Sequence, residues 1–395
     1  MSSTPQLAVL GGTPAFASPL HVAQVNLPPW EKVEAAFRGI FERHYFANHG
    51  PLVQKLDEAF AETAGVEHAV CVTNGTVALM LLARALELSG EVIVPAFTFP
   101  AAVQALVWAN LKPVFCDVER DTQMISAATV EPKITSRTSA VLGTHLWGRP
   151  SDPDGLAALC ERRGLKLFFD ACHAIACTHN GKRIGGFGGG EAFSFHATKV
   201  MNGAEGGCMT TNDARIADRL RTIRSFHASQ TFAQVPVRFN GKMSEAQAAF
   251  ALLSLDELDE NIAANKTRYA AYKQGLAGLP GMAVIKYDDK EENNFQYVVL
   301  EVDEKEFGLT RDHVYQALSA ENVLCRRHFY PGVHKISPFS EQKVSLPNTD
   351  FLCGRLLQVP TGQAVSTDDI ARICERIRAI RAARAQLQDR NNLIR

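Results

Sequence analysis

The chain contains the segment Ser194-Phe195-His196-Ala197-Thr198-Lys199, and Glu205-Gly206-Gly207 follows shortly after it. Upstream, an apolar, phenylalanine-rich run over residues 165–169 leads directly into Asp170-Ala171-Cys172-His173. The apolar run predicts a buried strand, so that its acid lies where the strand ends and a loop begins. Open α/β sheets bind their ligands at that end of the strands. The two segments therefore predict both a fold class and the position of its site.

Lys199 and Asp170 together meet the demands of one cofactor. An amine that forms a Schiff base needs a loop anchor rather than a free surface position. Pyridoxal phosphate also needs a carboxylate facing its pyridine nitrogen, so that the ring stays protonated and draws electrons from the substrate. A lone lysine is usually a solvated surface charge. The pair, however, indicates an enzyme that uses pyridoxal 5'-phosphate, with Lys199 and Asp170 as its catalytic residues.

Composition limits the class of protein and its partners. Of the 395 residues, 46% are hydrophobic and 21% are charged, as in soluble globular proteins. The 41 basic and 42 acidic residues form no basic stripe, so nucleic acid is not an expected partner. Nine scattered cysteines without a CxxC pair indicate reduced thiols and no metal site. With no secretory signal and no apolar run that could span a bilayer, we predict a cytoplasmic protein that binds small molecules or other subunits.

Alternating strand and helix patterns predict an α/β fold with a mostly parallel, doubly wound sheet. Strands are expected over residues 69–72, 91–94, 113–115, 140–143 and 166–169, and helices over 76–88, 100–110 and 154–163. The pattern then changes to a long helix from 244 to 261 that continues towards 272, a strand over 296–302, and helices over 311–321 and 368–385. We therefore predict a large cofactor-binding domain over 1–245, which includes the N-terminal segment, and a smaller α/β domain over 246–395.

Further candidate ligands of the cofactor follow the other predicted strands. Gly75 and Thr76 open the first helix, where backbone N–H groups and a hydroxyl can approach a phosphate, although such residues taken alone are more often an ordinary helix cap. Ser194 could add another phosphate donor or be a satisfied strand hydroxyl. Phe99 could stack on a pyridine ring or pack in the core. His173 could touch the phenolic oxygen of the cofactor, orient Asp170, or be a core histidine.

One glycine-rich segment is excluded as a phosphate site. Gly185-Gly186-Phe187-Gly188-Gly189-Gly190 matches neither GxxxxGK[ST] nor a GxGxxG between a strand and a helix. We predict a turn that leads into a strand at Ala192.

These residues carry a family resemblance over nearly the whole chain. The chain resembles the pyridoxal-phosphate-dependent sugar-nucleotide aminotransferases of the aspartate-aminotransferase superfamily (fold type I), which act in deoxyamino sugar biosynthesis. Besides Asp170-Ala171-Cys172-His173, Ser194 to Lys199 and Glu205-Gly206-Gly207, the matching stretches are Asn48-His49-Gly50-Pro51, Thr73-Asn74-Gly75-Thr76, Pro95-Ala96-Phe97-Thr98-Phe99, and Asn240-Gly241-Lys242-Met243-Ser244-Glu245.

The resemblance implies a role for each matching residue. Lys199 would form the Schiff base and then carry the proton of the 1,3-shift, while Asp170 would hold the pyridinium nitrogen and Phe99 would stack on the ring. Gly75, Thr76 and Ser194 would hold the phosphate. Asn240 matches an asparagine that reaches the phosphate across a dimer interface, which implies a homodimer with shared active sites. His328, Tyr330 and His334 match a segment near the sugar-nucleotide site, although a structural turn around Pro331 would explain them too.

The residues around Lys199 also suggest the position of the new amine. Family members that act at C3 tend to have Phe-Tyr-Pro-Gly-Lys, whereas this chain has Phe195-His196-Ala197-Thr198-Lys199 and is more similar to enzymes that act at C4, closest to dTDP-4-amino-4,6-dideoxyglucose transaminases. The resemblance implies a ping-pong transfer from L-glutamate, which leaves as 2-oxoglutarate, to a nucleotide-linked 4-keto-6-deoxy sugar such as dTDP-4-keto-6-deoxyglucose.

Other functions stay open at this point. The alternatives on the same fold are an aminotransferase for 3-keto sugar nucleotides, a pyridoxal-phosphate-dependent dehydratase, and a non-catalytic regulator. Dehydratase relatives replace the lysine with histidine, and a regulator could lose Lys199 or Asp170, so both residues argue for transamination. A dinucleotide dehydrogenase is discounted, because no GxGxxG follows the first strand.

Overall fold

The structure, a computed structural model, describes residues 6–22, 26–226 and 234–388. Its strands are β1 Leu20–His21, β2 His68–Val72, β3 Glu91–Pro95, β4 Lys112–Cys116, β5 Thr138–Thr144, β6 Lys166–Asp170, β7 Thr178–His179, β8 Lys182–Arg183, β9 Glu191–Ser194, β10 Gly207–Thr211, β11 Met282–Val284, β12 Val298–Val302, β13 Val323–Leu324 and β14 Leu356–Val359.

The helices alternate with these strands through the first half of the chain. They are α1 Trp30–Arg43, α2 Pro51–Ala64, α3 Gly75–Ala85, α4 Pro100–Trp108, α5 Ala127–Val130, α6 Pro153–Arg163, α7 Ala214–Ile223, α8 Glu245–Asp256, α9 Leu258–Gly275, α10 Glu304–Phe307, α11 Arg311–Ala320, α12 Pro347–Arg355, α13 Thr367–Ala382 and α14 Arg384–Gln388. Short 3-10 helices connect several of them.

The central sheet has the strand order β2-β10-β9-β6-β5-β3-β4 within the described part of the chain. Its pairs are parallel except for those of β10, which runs antiparallel to both β2 and β9. The predicted α/β fold with a mostly parallel sheet is therefore confirmed. The chain passes from β3 to β4 on one side and returns to β5 on the other, and such a reversal opens a crevice at the carboxyl ends of the strands.

The long helix predicted from 244 to 272 is interrupted. It is divided into α8 and α9 at Glu257, whose φ of −102° and ψ of 6° are not helical. The two helices pack against different neighbours, since α8 contacts α1 and α2 whereas α9 contacts α13. Tertiary packing thus breaks a pattern that is continuous in the sequence.

A second sheet and its own apolar core lie in the C-terminal part of the chain. Strands β11, β12 and β14 form an antiparallel sheet that packs against α9, α11 and α13. The N-terminal segment, which we assigned to the large domain, adds Leu7 and Phe16 to this core and pairs β1 with β13. The domain boundary at residue 245 stays a prediction.

Two general features complete the fold. All nine cysteines are free thiols, and eight of them are buried. Among residues 6–22, 26–226 and 234–388, no helix has the length and apolarity needed to cross a bilayer.

Glu91 offers a test of the electrostatics that hold one end of the central sheet. Its buried carboxylate accepts hydrogen bonds from Thr135 Oγ1 at 2.6 Å, Arg137 Nη2 at 2.8 Å and Lys112 Nζ at 3.2 Å. The hydrogen bond from Thr135 and then that from Arg137 lower the pKa of Glu91 from 4.5 to about 2. This stabilisation is therefore present above pH 4.5 and is lost as the pH falls towards 2. We expect Glu91→Gln to lower the free energy of unfolding at pH 7 by roughly 1–3 kcal/mol.

Urea denaturation at pH 7 and pH 3 would measure this effect. The difference between Glu91→Gln and the unmodified chain should shrink at pH 3. Glu131→Gln is the matched control, because Glu131 pairs with Arg163 at the surface, where both side chains are about half exposed, and such pairs contribute little. A difference that stays constant between the two pH values would contradict the assignment to Glu91.

Candidate active site

A cavity of about 470 Å³ lies at the carboxyl ends of β2, β3, β5, β6 and β9. It is where the sequence predicts a ligand site, because the loops after these strands converge at one edge of the sheet. Eight of the eleven predicted site residues line it, namely Gly75, Thr76, Phe99, Asp170, His173, Ser194, Lys199 and His328. Residues separated by up to 250 positions in sequence thus share one pocket.

The N-terminus of α3 forms one end of the cavity. The side chain of Asn74 caps the helix, because its Oδ1 accepts a hydrogen bond from Val77 N at 2.9 Å. The backbone carbonyl of Asn74 accepts from Ala78 N at 3.0 Å. Capping is therefore carried out by Asn74, and the amides of Gly75 and Thr76 remain in the first turn, where a helix supplies no partner. Such amides attract anions, and Ser194 lies beside them on the same cavity wall.

Close packing explains why residue 75 is glycine. A Cβ atom at this position would lie 2.9 Å from Cβ of Ser194 and 3.0 Å from Sγ of Cys172. Any larger side chain would push α3 away from the end of β9. The glycine therefore keeps the helix amides and the Ser194 hydroxyl within one site.

Lys199 lies in a loop that turns immediately after β9. Its backbone N–H donates to His196 O at 2.8 Å, and Ala197 N donates to Ala204 O at 2.9 Å, so the loop folds back on itself. Nζ donates a hydrogen bond to the hydroxyl of Tyr297 at 2.8 Å. The amine is partly buried and points into the cavity rather than into solvent.

Asp170 is the last residue of β6 and is only 6% exposed. One carboxylate oxygen, Oδ1, accepts from Cys172 N at 3.0 Å, and the backbone carbonyl accepts from His145 N at 2.9 Å. A carboxylate buried to this degree needs a cationic or hydrogen-bonding partner. The cavity that it lines can supply one.

Two neutral imidazoles flank the lysine. Burial, with the positive charge of Lys199 as the next cause, holds the pKa of His173 well below 6.5. Burial and the nearby charge of Arg326 lower the pKa of His328 to about 4. Nδ1 of His173 accepts from Trp147 N at 3.4 Å, so its hydrogen bond orients the ring against Trp147 rather than Asp170. Neither ring carries a positive charge at neutral pH.

Phe99 presents an aromatic surface to the cavity. It directly precedes α4, and 53% of the residue is exposed, so packing in the core does not explain it. The neighbouring Thr98 is fully buried, with its hydroxyl 3.3 Å from that of Thr144. The open ring remains available for stacking on a planar ligand.

Three predicted residues do not line the cavity of this chain. Tyr330 lies near the guanidinium groups of Arg311 and Arg327, at 5.4 Å and 5.1 Å from its ring centre. His334 is buried against Phe115, with Nε2 3.2 Å from Oδ1 of Asp350. Asn240 is exposed and accepts a hydrogen bond from Lys242 Nζ at 2.6 Å. The structure therefore does not bring these three side chains to Lys199 within one subunit.

Sequence reasoning missed other residues of the site. Tyr297 and Arg326 line the cavity. Among the lining residues, one is a lysine, Lys199, and one is an arginine, Arg326. No motif marks either residue. The one available signal is a cluster of amide residues, Asn293, Asn294 and Gln296, directly before an apolar strand.

The donor set fits pyridoxal phosphate. A phosphate would meet the amides of Gly75 and Thr76 and the hydroxyl of Ser194, while the buried Asp170 matches a protonated pyridine nitrogen. Phe99 would supply an aromatic face for stacking, and Lys199 would supply an amine in the cavity that Asp170 also lines.

Comparisons with known proteins show the family of the chain. Residues 31–378 match the DegT/DnrJ/EryC1/StrS aminotransferase family. The chain is 31% identical over 366 residues to dTDP-4-amino-4,6-dideoxy-D-glucose transaminase from Shigella dysenteriae, a match that covers 92% of this chain and 99% of that protein. It is also 31% identical over 340 residues to GDP-perosamine synthase from Vibrio cholerae, with 85% of this chain and 92% of that protein covered.

A solved structure is similar over almost the whole chain. The crystal structure of DesI in the presence of its TDP-sugar product superimposes with a TM-score of 0.94 at 42% identity, and the match covers 98% of this chain and 99% of that chain.

Proposed function

This chain belongs to the DegT/DnrJ/EryC1/StrS aminotransferase family, and from that premise we propose that it transfers an amino group from L-glutamate to C4 of a nucleotide-linked 4-keto-6-deoxy sugar. The observation that carries the proposal is the cavity itself, which is lined by the buried carboxylate of Asp170 at the end of β6 and by the amine of Lys199 in the loop after the neighbouring strand β9. We further propose dTDP-4-keto-6-deoxyglucose as the acceptor, because DesI, at 42% identity, has a TDP-sugar product and a relative at 31% identity is named dTDP-4-amino-4,6-dideoxy-D-glucose transaminase.

The family and the enzyme class predicted from the sequence are confirmed. The chain is a sugar aminotransferase, and its relatives include enzymes named for dTDP-linked and GDP-linked sugars. Because these nucleotide carriers differ between relatives, the carrier used by this chain belongs to the proposal.

Six residues of the cavity have a part in the proposed reaction. Bound pyridoxal phosphate supplies an electron sink that makes the proton next to the donor nitrogen acidic. The amides of Gly75 and Thr76 and the Ser194 hydroxyl would hold its phosphate, and Asp170 would hold its pyridine N–H. Phe99 would cover one ring face. Lys199 would attach the cofactor covalently and, once released, would accept and return the migrating proton at Nζ.

Basic and acidic side chains both line the cavity, Lys199 and Arg326 as well as Asp170 and Glu205. His173 and His328 are neutral at pH 7 for the reasons given above and add no charge. Arg326 is an exposed cation among the lining residues, and such a group attracts anions such as glutamate and a sugar nucleotide. We assign no contact between Arg326 and either substrate.

The active site is proposed to be shared between two subunits. Asn240 is exposed, and the adjacent Phe239 and nearby Val237 are exposed apolar residues, as expected for a surface that a second copy covers. Asn240 of one copy would then reach the phosphate site of the other. Mixing Lys199→Ala subunits with Asn240→Ala subunits should restore activity, because one site of each mixed dimer has both residues. No recovery in verified mixed dimers would contradict a shared site.

An absorbance spectrum before and after addition of L-glutamate tests the donor half of the reaction. We expect a visible band that glutamate removes, with release of 2-oxoglutarate. Addition of a 4-keto-6-deoxy sugar linked to dTDP, UDP or GDP should restore the band, and the fastest return identifies the carrier. A band that no amino donor alters would overturn the proposed transamination, and return of the band only with a 3-keto sugar would overturn the assignment to C4.

Gly75→Ala is expected to weaken cofactor binding. The added methyl group would lie within 3.0 Å of Ser194 and Cys172 and would separate the two parts of the phosphate site. We expect the dissociation constant for pyridoxal phosphate to rise on the order of tenfold to a hundredfold, the equivalent of about one lost hydrogen bond to a charged group. Fluorescence titration of the cofactor-free chain would measure it.

The matched control is Gly354→Ala. Gly354 lies in α12, and a Cβ atom there would meet nothing within 4 Å. This substitution should leave cofactor affinity unchanged and should preserve or slightly raise stability, because alanine is the better helix former. Equal affinity in Gly75→Ala and the unmodified chain would exclude α3 from the phosphate site.

A further inference from the structure

A short segment that leads into β12 carries four polar side chains into the protein interior. Asn293, Asn294, Gln296 and Tyr297 are all at most 7% exposed. Buried polar groups need hydrogen-bond partners. The partners of these four residues lie in the loops of the central sheet that surround the cavity, about 100 to 150 positions earlier in the chain.

Gln296 binds the backbone on both sides of Lys199. Its Oε1 accepts a hydrogen bond from Val200 N at 2.9 Å, and its Nε2 donates to Thr198 O at 3.4 Å. One side-chain amide therefore satisfies the residue before Lys199 and the residue after it. The loop position of Lys199 depends on a residue from the C-terminal part of the chain.

Tyr297, the next residue, contacts the side chain of Lys199. Nζ donates to the Tyr297 hydroxyl at 2.8 Å. Two ring contacts and one backbone hydrogen bond hold Tyr297 in place. The ring lies 4.4 Å from that of His173 and 5.3 Å from that of Trp147, and the backbone carbonyl accepts from Tyr287 Oη at 2.7 Å. The hydroxyl therefore offers Nζ a fixed partner.

Asn294 connects the same segment to the turn that carries His173. Its Nδ2 donates to His173 O at 3.0 Å and to Ile175 O at 2.9 Å. Its Oδ1 accepts from Gln296 N at 3.1 Å, which sets the direction of Gln296. The segment thus fixes the loop that carries Lys199 and the turn that carries His173 relative to each other.

We propose that Gln296 and Tyr297 hold the Lys199 amine in place, Gln296 as a positioning residue that fixes the backbone around Lys199 and Tyr297 as the hydrogen-bond partner of Nζ. The proposal rests on the proposed function, since it assigns these residues to the amine that would carry the reaction. A free lysine side chain has many rotamers, and holding it in one of them costs conformational entropy. An amine that must leave the cofactor, move a proton and return gains from a partner that keeps it in the cavity.

The first test needs no turnover. Full-length chain stripped of cofactor would be labelled with an amine-reactive anhydride, and the labelling rate of Lys199 would be read by peptide mass spectrometry. We expect Tyr297→Phe, which keeps the ring and its packing, to raise this rate roughly three- to tenfold, the equivalent of one hydrogen bond. Gln296→Met, which keeps the length and removes both backbone bonds, should raise it as well. If Lys199 were labelled at the same rate in both variants as in the unmodified chain, the proposal would be overturned.

The second test separates positioning from general stability. We expect the kcat of both variants to fall on the order of 10- to 100-fold, with the KM of each substrate almost unchanged. The reason is that the amine would be misplaced, whereas the groups that bind the substrates would keep their positions. Asn322→Ala is the matched control. It removes another side-chain amide bond to the backbone, Nδ2 to Phe16 O at 2.7 Å, in the region where β1 pairs with β13.

Asn322→Ala should lower the unfolding temperature without changing kcat or Lys199 labelling. If Asn322→Ala changed kcat and the labelling rate of Lys199 as strongly as Tyr297→Phe does, the effects would reflect general stability, and the proposal would be overturned. Should the chain show no transamination with any substrate, the labelling rates still decide whether Gln296 and Tyr297 hold Lys199. Failure of the proposed function and failure of this inference are therefore distinguishable.

Discussion

Lys199→Ala should abolish transamination while the protein keeps its fold. Lys199 would act twice, first as the covalent attachment point and then as the proton carrier, and no other lysine is among the residues that line the cavity. Loss of a group that carries the proton alone costs roughly 10²–10⁴-fold, so loss of both roles should lower kcat/KM by at least about 10⁴-fold. The side chain is partly buried and makes one hydrogen bond, so its removal should cost little stability.

Borohydride reduction provides a readout that does not depend on turnover. In the unmodified chain it should fix the cofactor to the peptide that contains Lys199, and mass spectrometry should find no such adduct in Lys199→Ala. Lys199→Arg is the control for charge, because arginine keeps the positive charge but cannot attach the cofactor. It should be as inactive as Lys199→Ala. Substantial transamination by either purified variant would exclude the role assigned to Lys199.

Asp170→Asn is expected to have the second largest effect. Asparagine preserves the size of the side chain and can still accept the hydrogen bond from Cys172 N, so β6 and its loop should stay in place. What is lost is the negative charge that would keep the pyridine nitrogen protonated. We expect kcat to fall on the order of 10²–10⁴-fold, the range for loss of one electrostatic or proton-transfer group. The visible absorbance of the bound cofactor should change its pH dependence as well.

The chain contains a matched control for this substitution. Asp117 also follows a strand of the central sheet, β4, but it accepts hydrogen bonds from Thr349 N at 2.8 Å and Asn348 N at 3.0 Å at the start of α12 and does not line the cavity. Asp117→Asn should lower stability and leave the cofactor spectrum unchanged. A spectrum that responds equally to both substitutions would argue against a specific contact from Asp170.

Asp170 and Asp117 also show what local patterns can and cannot predict. Both follow an apolar strand, and nothing within a few residues says which acid faces a ligand. Asp170 was identified because Lys199 and a family resemblance pointed to the same site. Strands β2 to β6 and helices α3, α4 and α6 were predicted to within a few residues, since buried strands and covering helices leave strong periodic signals.

Distant packing decides other features that local patterns do not show. The helix pattern from 244 to 272 gives no sign of the break at Glu257, because α8 and α9 separate to reach different neighbours. Likewise, the segment around Pro331 could be assigned to the site only as a block. The structure brings His328 to the cavity and turns Tyr330 and His334 to other contacts.

The sequence by itself determined the fold class and the enzyme family, and it placed Lys199, Asp170 and Gly75 close to the ends of predicted strands. These features are local, because each needs a particular residue type at a fixed distance from the end of a strand or the start of a helix. Only the tertiary structure decided which residues surround the amine. Tyr297 and Gln296 reach Lys199 across about 100 positions, and contacts of that range depend on how two sheets pack together, which no short pattern records.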